Sequence, residues 1–322
     1  MSYQWCQSSN MNKAPLTISG PYAHENLTIF LFHGPDQLDG SRYTSLSEAF
    51  KKEHVRVHET GTVGQLKVEN LSETTDIFIQ AGDVLKGGRQ DRTIGIDFII
   101  PAKSGQLPVP GFCVESGRWH RRRQEDQVLF SCSTHSIHAK NMRVAAKFFG
   151  DQQTIWRSVA ESQEALGSAL KKSVHAAASP TSYQLSVEDV DLQNRKRDYQ
   201  EKLGRVPEKA SDVLGYAFYV DGERNSVDIY GSTKLFHKLW EKLLDIAILE
   251  AISAQNGKAV IPNKADVDVW LKQKGHAQLR DRKIAPPRTR IETKSYQTGV
   301  VFETFDEAIG DSAVLHTNII SK

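Results

Sequence analysis

The chain has 322 residues, of which 39% are hydrophobic and 25% charged, and its formal net charge at pH 7 is +2. These values are typical of a folded globular protein and exclude wholesale disorder, and the charge excess is too small to indicate by itself a nucleic acid or an anionic membrane as partner. Three cysteines without a Cys-x-x-Cys pair, a first segment unlike a secretory signal, and no apolar run of about 18 residues predict a reduced, cytoplasmic protein that is neither exported nor inserted in a membrane.

The first half of the chain reads mainly as short strands. Residues 27–32 are continuously apolar or β-branched, and Ser45 and Glu48 form a capping box that begins a short helix. Further strands are predicted at residues 55–59, 65–70, 76–81, 94–100 and 109–114. Because glycines and prolines separate these segments at short intervals, the pattern predicts an antiparallel sandwich or barrel rather than alternating βαβ units.

The pattern changes to helical spacing from about residue 134. Apolar residues recur at helical intervals over residues 139–149 and 151–172. The small, polar residues 173–181, which include Pro180, are typical of a linker or a mobile loop. We therefore predict the boundary between two lobes at this segment.

The second lobe mixes helices with a hairpin and later strands. A polar helix is predicted from residue 186 to 203, and residues 214–220 and 226–230 form a hairpin around Asp221 and Gly222. The predicted elements that follow are a long helix with one apolar stripe (232–254), a short helix (266–272), a basic loop around Pro286 and Pro287, and strands at 299–305 and 313–320.

The predicted fold class is α+β. An antiparallel β-rich sandwich or barrel lobe with packed helices covers residues 20–172, and a smaller α+β lobe with the hairpin and the long amphipathic helix covers residues 182–322.

Two polar clusters follow strands of the first lobe. Residues 82–92 read Gly-Asp-Val-Leu-Lys-Gly-Gly-Arg-Gln-Asp-Arg, and residues 113–119 read Cys-Val-Glu-Ser-Gly-Arg-Trp. Because strand sequence lies between the clusters, we expect them to meet at one end of a sheet. Cationic donors beside an amide and a paired glycine turn suit a phosphorylated or otherwise anionic ligand. The candidate ligand-binding residues are Asp83, Lys86, Gly87, Gly88, Arg89, Gln90, Arg92, Arg118 and Trp119.

Carboxylates in the same clusters are the candidate catalytic groups. Asp91 and Glu115 could act as acid and base on a glycosidic or phosphate bond if they lie about 5 to 9 Å apart. Carboxylates beside arginines are also common salt-bridge partners that only hold loops. The sequence contains no Gly-x-Ser-x-Gly, P-loop or Gly-x-Gly-x-x-Gly pattern, and it displays no metal site. Basic runs at residues 118–123 and 280–290 leave a phosphate-rich partner as an alternative to ordinary solvated faces.

Several of these motifs, taken in order, resemble a known family. The residues are Glu59 with Gly61, Leu66-x-Val68-x-Asn70, Ala81-Gly82-Asp83-x-Leu85-x-Gly87-Gly88-x-Gln90-Asp91-Arg92, Pro101, Cys113-Val114-Glu115-x-Gly117-Arg118-Trp119, Gln153 and Trp156. Together with residues 215–220 and the helix carrying Phe236, Trp240 and Leu243, this order resembles the prokaryotic ARG and rhodanese-phosphatase-superfamily-associated protein domain. The resemblance covers most of residues 25–255 and leaves the tail after about residue 256 outside it.

The resemblance implies a role around ADP-ribose, nucleotide or RNA-end metabolism, in bacterial stress or defence, because the family takes its name from ADP-ribosylglycohydrolases and rhodanese-phosphatase-like proteins. It implies no particular reaction or cofactor. We expect binding of a phosphorylated nucleoside, with Trp119 stacking on a base. The alternatives are a carboxylate-dependent hydrolase and a non-catalytic assembly partner. RNA and a second copy of the chain are further possible partners.

Overall fold

A computed structural model of the chain describes residues 16–118, 130–254, 260–285, 287–310 and 313–322. The chain divides into two compact units. Unit 1 holds the described residues of 1–41, 200–241 and 256–322, and unit 2 holds those of 42–199 and 242–255. Each unit thus combines segments that are distant in the sequence, whereas the sequence predicts a contiguous division into 20–172 and 182–322. The physical reason is strand pairing between remote segments, described below.

The strands and helices account for most of the described residues. The strands are β1 (Thr17–His24), β2 (Leu27–His33), β3 (Tyr43–Ser45), β4 (Val55–Glu59), β5 (Gln65–Asn70), β6 (Asp76–Ile79), β7 (Asp83–Gly87), β8 (Arg92–Ile94), β9 (Phe98–Ile100), β10 (Leu107–Cys113), β11 (Phe130–Ser136), β12 (Val213–Val220), β13 (Glu223–Tyr230), β14 (Gln278–Ala285), β15 (Thr289–Tyr296), β16 (Gly299–Asp306) and β17 (Val314–Ser321). The α-helices are α1 (Leu46–Lys51), α2 (Lys140–Val144), α3 (Gln152–Leu170), α4 (Tyr183–Val187), α5 (Val190–Leu203), α6 (Thr233–Ala254) and α7 (Lys264–Lys274). A single π-helical turn, Ala145–Phe149, continues α2.

Unit 1 is built on one eight-stranded antiparallel sheet. Its strand order is β1-β2-β12-β13-β17-β16-β15-β14, so the first two strands pair with the hairpin β12-β13, and the last strand of the chain pairs with β13. Helix α7 covers one face, where Val267 and Trp270 join a core that includes Phe30 and Tyr219. On strand β12, Tyr216 meets Trp240 of α6 with ring centroids 5.5 Å apart.

Unit 2 contains a six-stranded antiparallel sheet and a three-stranded sheet. The six strands follow the order β11-β7-β8-β10-β5-β4, and the three follow β3-β6-β9, in which only the β3-β6 pair is parallel. The predicted α+β class with a mainly antiparallel sheet is confirmed. So is the capping box: the Ser45 hydroxyl accepts from the Glu48 N–H, and the Glu48 carboxylate accepts from the Ser45 N–H. No helix in the described ranges has both the length and the apolar composition that crossing a membrane requires.

The structure also contains strands that the sequence pattern does not predict. Residues 130–136 form β11, so helices begin only at Lys140. The basic segment expected as a loop around residues 280–290 forms most of β14 and the start of β15. On β15 the charged residues Arg290, Glu292 and Lys294 lie on one face, and the start of this strand falls in the basic run that was expected to be a loop. Charged side chains lie on both faces of β14, which removes the alternation of apolar and polar residues that identifies a strand. Ion pairs hold them instead: Glu292 accepts from Arg282 at 2.8 Å and from Arg290 at 2.6 Å.

Glu303 on β16 is a deeply buried carboxylate of this charged region. Its side chain is 2% exposed and lies between the ammonium groups of Lys274, at 2.8 Å, and Lys294. Burial alone would raise the pKa of Glu303, but the two lysines outweigh it and lower the pKa from 4.5 to about 2. Because the pKa is lower in the folded protein, the ionised carboxylate stabilises the fold above about pH 4.5, by on the order of 3 kcal/mol. That contribution is lost as the pH falls from 4.5 toward 2.

We predict that Glu303→Gln lowers the free energy of unfolding by about 3 kcal/mol at pH 7, because it leaves two lysines without their buried partner. The difference from the wild type should shrink as the pH approaches 2, where Glu303 itself becomes neutral. Urea unfolding at several pH values between 7 and 2 measures both effects. Glu223→Gln, at an exposed position, is the control. A difference that stays constant over this range would contradict the assignment.

Candidate functional site

The two predicted polar clusters meet in unit 2. Strand β10, which ends at Cys113, pairs with β8, which begins at Arg92. This pairing brings the residues after β10 beside those before β8. Arg118 Nη2 lies 2.6 Å from Glu115 Oε2 and 3.6 Å from Asp91 Oδ1. The expectation that the two clusters are adjacent, with an arginine of one paired to a carboxylate of the other, is confirmed.

Both carboxylates are buried and surrounded by donors. Asp91 and Glu115 are each 0% exposed. Asp91 accepts from the Gly87 N–H and from the Ser182 hydroxyl, each at 3.1 Å. Glu115 accepts from the Asp91 N–H at 3.3 Å and from the Ser179 hydroxyl. Hydrogen bonds and the Arg118 guanidinium thus compensate the burial of two negative charges.

A second arginine extends this arrangement. Arg92 donates to the Gln90 carbonyl at 3.2 Å and approaches Glu59 Oε2 at 3.5 Å. The Gln90 side chain donates in turn to the Glu115 carbonyl at 3.0 Å. The Cys113 thiol donates to Gln90 Oε1, and burial raises the pKa of this thiol to about 11, which keeps it protonated near neutral pH. We call Gln90, Asp91, Arg92, Glu115 and Arg118 the motif network.

The motif network holds helix α4 in place. Ser182, which donates to Asp91, is also the N-cap of α4, and its hydroxyl accepts from the Leu185 N–H. The next residue, Tyr183, donates its N–H to the Val114 carbonyl at 3.1 Å. The segment 173–181, interpreted from its composition as a linker, therefore lies within unit 2, and its Ser179 is buried against Glu115.

The remaining predicted site residues lie along β7 and the turn that follows it. Gly87 and Gly88 have positive φ values of 120° and 56°. A Cβ on Gly88 would approach the Phe130 ring to 2.4 Å, so this position requires glycine for packing as well as for backbone conformation. The Arg89 N–H donates to Glu59 at 3.3 Å. Trp119 lies outside the described residues.

Asp83 and Lys86 belong to a different set of contacts. Asp83 Oδ1 accepts from the ammonium of Lys242 on α6 and from the Ser136 hydroxyl at 3.2 Å. Lys86 Nζ lies 2.8 Å from both carboxylate oxygens of Glu188, which follows α4. These two predicted residues therefore face α4 and α6 rather than the motif network.

A series of hydrogen bonds leads from Lys86 to His135, a histidine that was not among the predicted site residues. Glu188 accepts from the Gln184 amide at 2.8 Å, and the Gln184 carbonyl oxygen accepts from the Ser133 hydroxyl at 2.6 Å. That hydroxyl accepts from the backbone N–H of His135 at 2.8 Å. Burial opposes ionisation of Glu188, but Lys86 and Gln184 outweigh burial and lower its pKa.

This series of hydrogen bonds ends at the buried ion pair of Asp245 and Lys196. His135 Nδ1 lies 2.8 Å from Asp245 Oδ2, and the other carboxylate oxygen contacts the ammonium of Lys196, whose side chain is 2% exposed. Burial raises the pKa of Asp245, but its interactions with the His135 ring and with the Lys196 ammonium outweigh burial, so the net shift is downward. We call Lys86, Glu188, Gln184, Ser133, His135, Asp245 and Lys196 the histidine chain.

One sequence signal could have identified part of this group. Lys242 and Asp245 stand three residues apart, on one side of a helix that is otherwise strongly apolar. Charged residues on the inner side of such a helix need polar partners, and β7 and β11 supply them. His135 carries no comparable signal, because the side-chain partner of its ring, Asp245, comes from α6, far along the chain. Within the described residues, neither network offers three metal-ligating groups close enough to share one ion.

Comparison with known proteins assigns the domain type. A family model of the ARG and Rhodanese-Phosphatase-superfamily-associated Protein domain matches residues 15–320. No curated protein and no solved structure matches the chain. The matched region includes the tail after residue 256, which the sequence resemblance left out. The structure explains this, since β14 to β17 complete the sheet of unit 1.

We predict that Arg118→Met lowers the free energy of unfolding by about 3 to 5 kcal/mol, because it leaves the charges of Asp91 and Glu115 buried without their cation. Chemical denaturation at neutral pH measures the loss. Arg157→Met, which removes an exposed arginine of the same unit, should change the stability by less than about 1 kcal/mol. Equal effects of the two substitutions would show that the motif network does not support the fold.

Proposed function

We propose that this chain, which belongs to the ARG and rhodanese-phosphatase-superfamily-associated protein domain family, binds a phosphorylated nucleoside such as ADP-ribose, a nucleotide or an RNA end. The observation that carries the proposal is the difference in solvent exposure between the cations and the carboxylates around the Gly87-Gly88 turn. The neighbouring carboxylates Asp91 and Glu115 are buried and engaged, whereas the cations on either side of the turn, Lys86 and Arg89, are partly exposed. Solvent at this turn therefore reaches two cationic side chains, of which Lys86 is paired with the partly exposed Glu188.

The cations of the motif differ in their access to a ligand. Arg92 is fully buried, and Arg118 nearly so, and both contact carboxylates within the protein. The Lys86 side chain is 27% exposed and pairs with Glu188, itself 36% exposed. Ion pairs this open to solvent contribute only about 0 to 1 kcal/mol. A phosphate group can therefore replace the Glu188 carboxylate as the partner of Lys86 at little cost.

The motif network supports this proposal by fixing the turn before a ligand arrives. The hydrogen bond from the Gly87 N–H to Asp91 holds one side of the turn, and the bond from the Arg89 N–H to Glu59 holds the other. A binding loop that is already ordered loses less conformational entropy on binding than a mobile one. In this view Asp91, Glu115 and Arg118 act indirectly, by orienting Lys86 and Arg89.

The other predicted contacts complete the proposal. Trp119 follows Arg118 in the sequence, and we assign to it the stacking contact with the base, since an indole face is suited to a nucleobase. The family is named for its association with ADP-ribosylglycohydrolases and rhodanese-phosphatase-like proteins. This association favours a ligand from ADP-ribose or RNA-end metabolism in stress or defence. Direct catalysis by Asp91 and Glu115 has less support, because neither side chain reaches solvent.

We predict that a nucleotide ligand at about 100 times its dissociation constant raises the free energy of unfolding of the wild type by about 2.7 kcal/mol. Thermal-shift measurements with ADP-ribose, NAD, ADP, AMP and a short 5′-phosphorylated RNA, followed by calorimetry, identify the ligand class. Lys86→Gln with Arg89→Gln should abolish the stabilisation and leave the unliganded stability within about 1 kcal/mol of the wild type.

The matched control is Lys67→Gln, which removes an exposed lysine from β5 of the same unit and should keep the ligand response. The proposal fails if no probe stabilises the wild type, or if the double substitution retains the full response. Loss of the response in Arg118→Met alone would be ambiguous, because that substitution also weakens the fold.

A further inference from the structure

We propose that His135 is a catalytic base, oriented by Asp245, and that unit 2 uses it to hydrolyse a phosphate ester of the bound nucleotide. This inference rests on the proposed function for the identity of the substrate. The residues that carry it belong to the histidine chain and are separate from the motif network.

The orientation of the His135 ring is the first argument. The Asp245 carboxylate can only accept, so Nδ1, 2.8 Å from Asp245 Oδ2, carries the hydrogen. In the neutral ring this leaves the lone pair on Nε2, the arrangement that suits a histidine to take a proton from a hydroxyl or water. Lys196 on the other oxygen of Asp245 fixes the carboxylate in turn.

The second argument is that Nε2 remains available. His135 is 8% exposed, and within the described part of the chain no group hydrogen-bonds to its Nε2. A polar nitrogen in a nearly buried ring ordinarily has a protein partner or water. An anchored ring with one nitrogen left open is the geometry expected of a proton acceptor.

A second histidine in the same region provides the contrast. His138 is fully buried, and both ring nitrogens are occupied: Nδ1 lies 2.7 Å from the Tyr183 hydroxyl, and Nε2 lies 3.1 Å from the Ser162 hydroxyl. Burial lowers the pKa of His138 to about 3, so this ring stays neutral. His138 is a structural residue, and the difference between the two rings lies in the open nitrogen of His135.

The groups around His135 indicate phosphate chemistry. Lys242 and Asp245 occupy one side of α6, so the ammonium that contacts Asp83 and the carboxylate that holds His135 face the same strands, β7 and β11. Lys86, the cation proposed to bind phosphate, lies on β7 about 10 Å along the strand from Asp83. Ammonium groups near the base can stabilise the negative charge that develops on a phosphoryl group.

The reaction is a simple hydrolysis with water as the second reactant. His135 Nε2 takes one proton from water while the water oxygen forms a bond to phosphorus. The bond from phosphorus to the nucleoside oxygen breaks, that oxygen keeps the electron pair, and it takes a proton from solvent. His135 then returns its proton to solvent. The products are a phosphate group and an alcohol, and no redox change occurs.

The test uses the full chain with AMP, ADP-ribose and a 5′-phosphorylated RNA, and measures phosphate or nucleoside release by chromatography. We predict turnover by the wild type of at least one probe that it binds. His135→Gln should lower kcat by about 10²- to 10⁴-fold and change the dissociation constant for that probe less than threefold. His276→Gln, at an exposed histidine of unit 1, should leave both values unchanged.

Asp245 is a positioning residue, and its variant needs a separate readout. Asp245→Asn should lower kcat with little change in KM, since the ring can then adopt the wrong tautomer while the phosphate contacts persist. If Asp245→Asn lowers both kcat and the melting temperature, whereas His135→Gln lowers neither, Asp245 acts in folding alone.

The outcomes separate this inference from the proposed function. Binding without turnover of any probe by the wild type overturns the inference and leaves the proposed function standing. Turnover that His135→Gln does not reduce overturns the role of His135. If no probe stabilises the protein but one is turned over, and that turnover is lost in His135→Gln, the proposed function fails and the role of His135 as a base stands. If no probe either stabilises the protein or is turned over, both proposals fail.

Discussion

The Arg118 guanidinium, shared between two carboxylates with no access to solvent, is the interaction on which the arrangement of unit 2 depends. Asp91 and Glu115 come from segments joined through the β8-β10 pairing, and neither could remain ionised in the interior without a cation and donors around it. Satisfying them recruits Ser179 and Ser182 as further donors. The need to satisfy two buried carboxylates thus determines the path of residues 179–182, which are remote from them in the sequence.

That path places the short helix α4 beside the histidine chain, to which it contributes Gln184. The serine that donates to Asp91 is the N-cap of helix α4, and Gln184 and Glu188, on α4 and at its C-cap, contact Ser133 and Lys86. A five-residue helix has little stability of its own, so its position reflects these tertiary contacts. The motif network and the histidine chain are therefore mechanically linked, although they share no residue.

The sequence predicts the parts of this protein that depend on local periodicity. The strands at 27–32, 55–59 and 65–70, the hairpin around Asp221 and the long helix α6 all follow from short-range patterns. The pairing of Asp91 with Arg118 follows from strands that are close together in the sequence. The role of His135 could not be predicted, because its partner Asp245 lies 110 residues away. Strand β14 was missed because charged residues occupy both of its faces, so that no alternation of apolar and polar residues marks it. Strand β15 was missed because its first residues belong to the basic run that was interpreted as a loop. The extent of the domain was likewise underestimated, since its last strands contain none of the polar motifs.

The strand order of unit 1 has a consequence for biosynthesis. The hairpin β12-β13 is complete long before β17, its neighbour in the sheet, leaves the ribosome. During that interval β13 presents an unpaired row of backbone donors and acceptors, with apolar Val227 and Ile229 along it. Nascent chains of this domain must therefore be shielded or must remain loosely folded until β17 is translated. Their yield in the cell should be governed by translation speed and chaperone supply as much as by the stability of the finished protein.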